Sequence, residues 1–294
     1  MICLNKCLDE YIGSSVPTQI NEVKTMRKYL YLTFIIISSV MVTIYVLTKS
    51  SLPAITYFPI DEQMKFDFVQ TNLKVTPKNQ KQQLIWTSYS KSEQPLYLRQ
   101  DVSLLYEDGL FKGVQSKWIE DQATILLEKD MPAQDQRLYQ SISYHYGEIH
   151  QPNKKINSIG EMSSSELFSK HANHQSKAEK VNQKLTSHWN TLMEQFELNP
   201  NSYVAIPLTK LYMYNDKSLP TLSQGKTDEV IGQLWEGLYK NYMIPISQSL
   251  DTDETHHIPL ILFHKDGSHL MVIYTINGEK KKLIQQISHA PNEK

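Results

Sequence analysis

The sequence predicts an α+β protein in which a transmembrane helix precedes a domain of antiparallel sheet with a few packed helices. Three observations predict this architecture: an uncharged apolar run near the N-terminus, strand patterns that dominate from Met64 to His150, and amphipathic helices mixed with a hairpin pattern after residue 160. The chain lacks the regular alternation of strand and helix patterns that a doubly wound parallel sheet requires.

The apolar run covers residues 29–47, YLYLTFIIISSVMVTIYVL, and contains no charge, proline or glycine. A helix of this length reaches about 28 Å, close to the ~30 Å hydrocarbon core of a bilayer. Lys24, Arg27 and Lys28 precede the run and only Lys49 follows it closely, so we expect a cytoplasmic N-terminus and an extracytoplasmic C-terminal domain in the cell membrane. A buried core helix is the alternative, but such a helix normally keeps a polar side. A cleaved signal peptide is less favoured than an uncleaved signal anchor, because no A-x-A pattern follows the run.

This placement predicts five segments along the chain. Residues 1–28 form a short cytoplasmic segment, residues 29–47 span the bilayer, and residues 48–63, which contain two prolines, form a tether. A β-rich lobe follows over residues 64–160, and a mixed lobe that ends in a β-hairpin covers residues 161–294.

Strand patterns fill the first lobe, and Asp108-Gly109 between two of them predicts a hairpin turn. In the second lobe, Ser163 to Glu166 matches a capping box and predicts a short helix. A longer helix is predicted over KAEKVNQKLTSHWNTLMEQFEL, where apolar residues recur three or four positions apart.

The remaining patterns predict a strand or pair of strands over Tyr203–Tyr214 and a helix capped by Thr227 that runs through Lys240. A β-hairpin is predicted around Lys265-Asp266-Gly267-Ser268, because two apolar runs flank this turn sequence.

Composition narrows the function classes. Both cysteines, Cys3 and Cys7, precede the apolar run, so the predicted outer domain has no disulfide and no cysteine nucleophile. Basic and acidic residues are nearly balanced, at 30 and 31, and the only dense basic run is Lys280–Lys282. Nucleic acid is therefore not an expected partner. No phosphate-binding loop, zinc-protease motif or nucleophile elbow is present, and no cofactor is predicted.

The segment SYHYGEIH, Ser143 to His150, raises the question of a metal site. In a strand, His145 lies on one face while Glu148 and His150 lie on the other, so the three side chains do not converge without a bulge. We favour a partly exposed strand with ordinary polar residues. Glu148 and His150 remain the candidates for an acid/base pair if the protein is a hydrolase.

A second group of histidines flanks the predicted hairpin loop. His264 and His269 are expected to lie opposite each other across the ladder, and Asp266 can approach them from the loop. A metal site or a pH-responsive pair is one interpretation. We favour a solvent-exposed hairpin end.

The helical segment LWEGLYKNYMIP carries Trp235, Tyr239 and Tyr242 at helical spacing. These aromatic residues are candidates for an exposed ligand or partner surface, since Trp and Tyr are favoured interface anchors. The same spacing is typical of a helix stripe packed on a sheet, which we favour.

The segments MRKYLYLTFIII, SISYHYGEIH, IGQLWEGLYKNY and IPLILFHKDGSHL resemble those of single-pass membrane-anchored extracytoplasmic proteins of Bacillus-like Gram-positive bacteria. The resemblance implies no activity and no functional residue. From the residues themselves we expect a membrane-tethered extracytoplasmic binding or accessory domain that contacts a sensor, an envelope enzyme or an assembly partner. A cell-envelope hydrolase without a recognisable motif and a pH- or metal-responsive sensor are the alternatives.

Overall fold

The computed structural model describes residue 34 and residues 38–39, 56–61, 63–78, 81–169, 174–248 and 255–288. Apart from Phe34, Ser38 and Ser39, which are helical, the predicted span over residues 29–47 lies outside the described residues. Among the residues that are described, no helix combines the length and the apolar character needed to cross a bilayer. The described residues from Thr56 onward belong to one compact unit.

The unit is mostly antiparallel sheet with few helices, as the sequence predicts. The first sheet contains five strands, which are β1 (Phe66–Lys78), β2 (Lys81–Glu107), β3 (Leu110–Pro132), β4 (Leu138–His150) and β5 (Ile156–Phe168). The second sheet contains β6 (Tyr203–Pro207), β7 (Leu260–His264), β8 (His269–Ile276) and β9 (Glu279–Gln286), hydrogen-bonded in that order.

The long strand β2 organises the first sheet. Strand β3 pairs along both halves of β2, whereas β1 pairs only with the first half and β4 only with the second. The register of β2 against β3 shifts between Lys91 and Leu96, where the strand passes from one set of partners to the other. Strand β5 completes the order by pairing with β4. Side chains of β1 also contact those of β4 and β5, so the sheet encloses an interior.

In the described chain from Thr56 onward, three α-helices lie between β5 and β7: α1 (His174–Gln195) precedes β6, and α2 (Gln224–Leu238) and α3 (Ile244–Gln248) follow it. A π-helical turn over Tyr239–Met243 joins α2 to α3, and a 3-10 segment over Leu208–Tyr214 follows β6. The predicted long helix is therefore confirmed as α1, and its apolar stripe buries Val181, Leu185 and Leu192.

The hairpin turns contain residues with positive φ angles. Asp108 and Gly109 have φ of 49° and 82°, and Asn277 and Gly278 have φ of 52° and 68°, which are the left-handed conformations that two-residue hairpin turns require. The turn between β7 and β8 places Gly267 at φ 77°. The hairpins predicted at Asp108-Gly109 and at Lys265–Ser268 are both confirmed.

Three local predictions are wrong. Ser163 to Glu166 belongs to β5 instead of starting a helix, because these residues pair in register with Gln140 to Ser143 of β4. The cap of α2 is Ser223, whose side chain accepts a hydrogen bond from the Lys226 amide. Thr227 is buried and accepts one from the Leu219 amide at 2.9 Å. Only the first five residues of Tyr203–Tyr214 form a strand.

The main hydrophobic core draws on both sheets and on all three helices, and smaller clusters flank it. Strand β5 runs through residue 160, where the sequence suggested a boundary between two lobes. Residues 56–61, the end of the predicted tether, also pack on the sheet, since Tyr146 donates to the Thr56 carbonyl at 2.7 Å and Ile60 bridges to Ser158.

Candidate functional site

A cavity of about 690 Å³ lies where β5 meets the chain segment before β1, the end of the 3-10 segment and the start of α2. Its volume falls within the range of small-ligand sites, about 300–1,000 Å³. The lining combines aromatic rings with carboxylates and contains no Ser, Thr, Cys or His: Tyr57, Pro59, Ile60, Asp61, Met64, Lys65, Phe66, Tyr144, Ile159, Gly160, Glu161, Met162, Tyr214, Asn215, Asp216, Gly225, Asp228, Glu229 and Ile231.

Tyr144 forms part of the aromatic wall, and the main core holds it rigidly. Its ring stacks on Trp235 with centroids 5.0 Å apart and an angle of 5° between the planes. Only 2% of the residue is exposed, and its hydroxyl has no hydrogen-bond partner within the described part of the chain. A Cβ at Gly160, another lining residue, would collide with this hydroxyl, so the glycine leaves the space in front of it open.

The carboxylates of the cavity differ in how far protein donors satisfy them. Asp61 accepts from the Gln63 and Met64 amides and from Asn157, and Glu229 forms a two-oxygen pair with Lys226. Asp228 accepts from Gln224 at 2.9 Å.

Two further carboxylates lack such partners. No donor within the described chain reaches Glu161 or Asp216 within hydrogen-bonding distance. Glu161 is half-buried and Asp216 is exposed.

Burial and mutual repulsion perturb the acids that face the cavity. Burial raises the pKa of Glu161, and the negative charge of Asp216 adds to the rise, while His145 and Lys65 oppose it. Burial likewise raises the pKa of Asp228, against the hydrogen bond from Gln224. The pKa of Tyr57 rises to about 12, first through burial and then through the charge of Glu229. The cavity is therefore a site of negative potential with poorly solvated carboxylates.

A buried polar layer extends from the cavity into the interior of the first sheet. We use this name for the buried residues Thr71, Ser90, Arg99, Asp101, Ser143 and His145 and for the partly buried Ser163. Arg99, Asp101 and His145 are all fully buried, and the Arg99 guanidinium lies 3.8 Å from the Asp101 carboxylate. Burial lowers the pKa of Arg99, and the charge of Asp101 opposes that effect. Apolar clusters that contain Trp86 and Phe66 bound the layer.

Within this layer, Asp101, His145 and Ser163 form a chain of the kind found in serine hydrolases. The Asp101 carboxylate is 2.7 Å from His145 Nδ1, and His145 Nε2 is 2.8 Å from the Ser163 hydroxyl. Thr71 also contacts the Ser163 hydroxyl at 2.6 Å. Ser163 does not line the cavity, although Glu161 and Met162 do. Ser163 is partly buried, and the three side chains form a hydrogen-bond network that joins β2, β4 and β5.

The structure separates Glu148 and His150 from the cavity. His150 Nε2 is 3.1 Å from the Glu148 carboxylate, and the His150 ring stacks on Tyr97 with centroids 3.7 Å apart. Neither residue lines the cavity. His145 is fully buried, so the expectation of a partly exposed strand is corrected at this position.

His264 and His269 lie as the hairpin register predicts. Their rings stack with centroids 4.8 Å apart, and His264 Nδ1 is 2.5 Å from the Asp266 carboxylate. Burial lowers the pKa of His269, and His264 adds to the effect. Among the described residues, no group of three or more His, Cys, Asp or Glu is placed to hold a metal ion.

Trp235, Tyr239 and Tyr242 are buried in the main core, at 0%, 4% and 0% exposure. They cannot form the exposed surface considered from the sequence, because the helix turns their stripe towards both sheets. Trp235 lies behind the cavity wall, where its ring stacks on Tyr144.

Sequence reasoning missed Glu161, Asp216 and Asp228 because these acids are far apart in the chain and each looks like an ordinary surface residue. A weak signal was present in Asp228, which follows the predicted start of a helix.

No protein-family model and no curated protein matches the chain. Among solved structures, the solution structure of AT1g01470 from Arabidopsis thaliana is 10% identical, with a TM-score of 0.23 over 42% of this chain and 92% of that one. The crystal structure of Spo0M, a sporulation control protein from Bacillus subtilis, is 8% identical, with a TM-score of 0.11 over 74% of this chain and 90% of that one. Likenesses at these scores support no conclusion about fold or function.

Proposed function

We propose that the chain is a membrane-tethered extracytoplasmic binding domain, an accessory protein that acts by contact with a ligand or partner. The observation that carries this proposal is the cavity beside β5, with its aromatic wall and its incompletely satisfied carboxylates. The uncharged run over residues 29–47 and the basic residues before it support the membrane placement.

The end of the proposed tether supplies part of the cavity wall, because Tyr57 and Ile60 are part of the lining. The expected partner is a protein held in the same membrane, such as a sensor, an envelope enzyme or an assembly component. Tethering restricts both proteins to one surface and raises their effective concentration.

Site-specific photo-crosslinking in cells tests the binding function. A photoreactive phenylalanine derivative replaces Tyr214, which lines the cavity, or Tyr97, an exposed tyrosine that does not. We expect covalent adducts, detected by intact mass or band shift, at position 214 and none at position 97. The absence of adducts at both positions, or equal adducts at both, would contradict a binding role for the cavity.

Cysteine labelling tests the membrane orientation. The natural cysteines, Cys3 and Cys7, lie on the proposed inner side and provide an internal control. Lys280→Cys adds an exposed thiol on β9. A membrane-impermeant maleimide should label the variant on intact protoplasts, whereas the wild-type protein should react only after lysis. Labelling of position 280 only after lysis would contradict the orientation.

A cell-envelope hydrolase is the second candidate, and the raised pKa of Glu161 is the observation that favours it. Glu161 and Asp228, two carboxylic acids in one aromatic-lined cavity, have the residue types of a glycosidase acid/base pair. Release of reducing ends from purified cell wall, lost in Glu161→Gln, is the expected result for this candidate. This pair replaces Glu148 and His150 as the acid/base hypothesis.

A further inference from the structure

We propose that the cavity beside β5 selects an organic cation, either a free amine or guanidine or a basic side chain of a partner protein. This inference rests on the proposed binding function and names the chemistry that the site recognises.

The first observation in favour of a cationic ligand is the charge of the cavity. Asp61 and Glu229 each accept two or more hydrogen bonds from protein donors, Asp228 accepts one from Gln224, and Glu161 and Asp216 accept none within the described chain. Lys65 is the one lysine in the lining of the cavity. Carboxylates that are partly buried near one another without enough counter-charge gain from a bound cation.

The Tyr144 hydroxyl is a second observation, independent of charge, that favours a ligand with N–H donors. The residue is 98% buried, and its hydroxyl lies against Gly160 in the cavity lining and has no hydrogen-bond partner among the described residues. An ammonium or guanidinium N–H donates readily to such an oxygen.

The arrangement of the ligand groups distinguishes an organic cation from a metal ion. The acids of the cavity do not form a cluster able to hold a metal within the described chain, whereas the wall includes the partly exposed rings of Tyr57 and Tyr214. Aromatic faces attract ammonium and guanidinium groups by the cation–π interaction. The volume of about 690 Å³ also accommodates a ligand much larger than a hydrated metal ion.

Calorimetric titration of the full-length protein in detergent provides the test. The cationic probes are spermidine, agmatine and a hexalysine peptide, and the matched neutral controls are acetylated spermidine and an acetylated hexalysine peptide. We expect binding of at least one cationic probe, weaker binding as salt rises, and no measurable binding of the acetylated controls. Binding of spermidine or agmatine indicates a free ligand, and binding of hexalysine alone indicates a partner's side chain.

Four variants locate the site. Glu161→Gln and Asp228→Asn should each weaken binding about tenfold or more, the loss typical of a charged hydrogen bond. Lys65→Gln should strengthen binding, because it removes the competing cation. Tyr144→Phe should weaken binding severalfold while the ring stack is retained. Glu279→Gln, a change of an exposed acid on β9, is the matched control and should leave affinity unchanged.

Misfolding does not explain the expected losses. The raised pKa of Glu161 means that its charge destabilises the fold at neutral pH, so Glu161→Gln should melt at an equal or higher temperature than the wild type. No binding of any cationic probe, equal binding of the acetylated probes, or unchanged affinity in Glu161→Gln and Asp228→Asn would each overturn the proposal. Crosslinked adducts at position 214 together with no cation binding would overturn this inference and leave the binding function standing.

Discussion

At the scale of single residues, the buried pair of Arg99 and Asp101 makes the sharpest prediction. Both side chains are fully buried, and Asp101 also holds Ser90 and His145. Asp101→Asn leaves the Arg99 charge without its counter-ion, so we expect a loss of about 3–5 kcal/mol in the free energy of unfolding. Asp67→Asn breaks the exposed pair with Lys91 and should cost at most about 1 kcal/mol. Urea denaturation measures both, and equal effects would contradict a structural role for the polar layer.

His257 predicts how stability depends on pH. Burial lowers its pKa to about 4, with further contributions from His188 and His256, and its ring stacks on His188 of α1 at 3.9 Å. An unfolded histidine titrates near 6.5. Between pH 4 and pH 6.5 the unfolded state binds more protons than the folded state. The contribution of His257 to the free energy of unfolding is therefore fully present above pH 6.5 and is lost as the pH falls to 4.

The measurement is the melting temperature of the wild type and of His257→Phe across pH 4–7. We expect the difference between them to favour the variant increasingly as the pH falls. A difference that does not change with pH would show that the imidazole of His257 is not the acid-sensitive group. His264, which is paired with Asp266 on the surface, provides a control through His264→Phe.

The buried polar layer also shows which features of single residues can be predicted from the sequence and which cannot. Alternation along Ser141–His150 correctly places Ser143 and His145 on one face, yet gives no sign that this face is buried. The reason is that its partners, Thr71, Asp101 and Ser163, come from three other strands. Burial of a polar face depends on those distant partners, and no local pattern encodes them.

At the scale of elements, local patterns predicted most of the secondary structure, because hairpin turns and amphipathic helices depend on residues that are close together in the sequence. The exception is instructive. Ser163-Ser164-Ser165-Glu166 has the local sequence of a helix start, yet it forms an edge strand in which Ser163 bonds to His145 and Thr71. Pairing with β4 and the buried hydrogen bonds override the local preference for a capping box.

The hairpin turns allow a matched test of turn energetics. Gly109 and Gly278 both have positive φ, at 82° and 68°. A Cβ at Gly109 would lie 2.9 Å from Leu185 of α1, whereas a Cβ at Gly278 meets open space. Gly278→Ala should therefore cost only the backbone strain, about 1–2 kcal/mol, and Gly109→Ala should cost more because the turn must move away from the helix. Chemical denaturation compares the two, and equal losses would contradict the close contact between the β2–β3 turn and α1.

At the scale of the whole molecule, the sequence suggested two lobes that meet near residue 160, whereas the main core takes side chains from both sides of that point. Tyr144 of β4 stacks on Trp235 of α2, and Tyr106 of β2 lies within 3.3 Å of Tyr242 through their hydroxyls. The cavity beside β5 is likewise formed by residues from both sides of residue 160, since its wall includes residues from 57 to 231. A change in composition along the chain cannot reveal such a shared core, because burial of α2 between the sheets is a property of the assembled fold.

A shared core predicts that the two sheets unfold together. Leu234 of α2 is fully buried in the main core, and Leu234→Ala should lower the free energy of unfolding by about 2–5 kcal/mol. If the unit from Thr56 onward is cooperative, hydrogen exchange under increasing urea should lose protection in β4 and β8 at the same midpoint, in the wild type and in the variant alike. Leu192→Ala, in the smaller cluster between α1 and the second sheet, is the matched control and should shift both strands equally as well. If Leu234→Ala instead lowered the midpoint of β8 and left that of β4 unchanged, the sheets would be separate folding units and the cavity beside β5 would not depend on the second sheet.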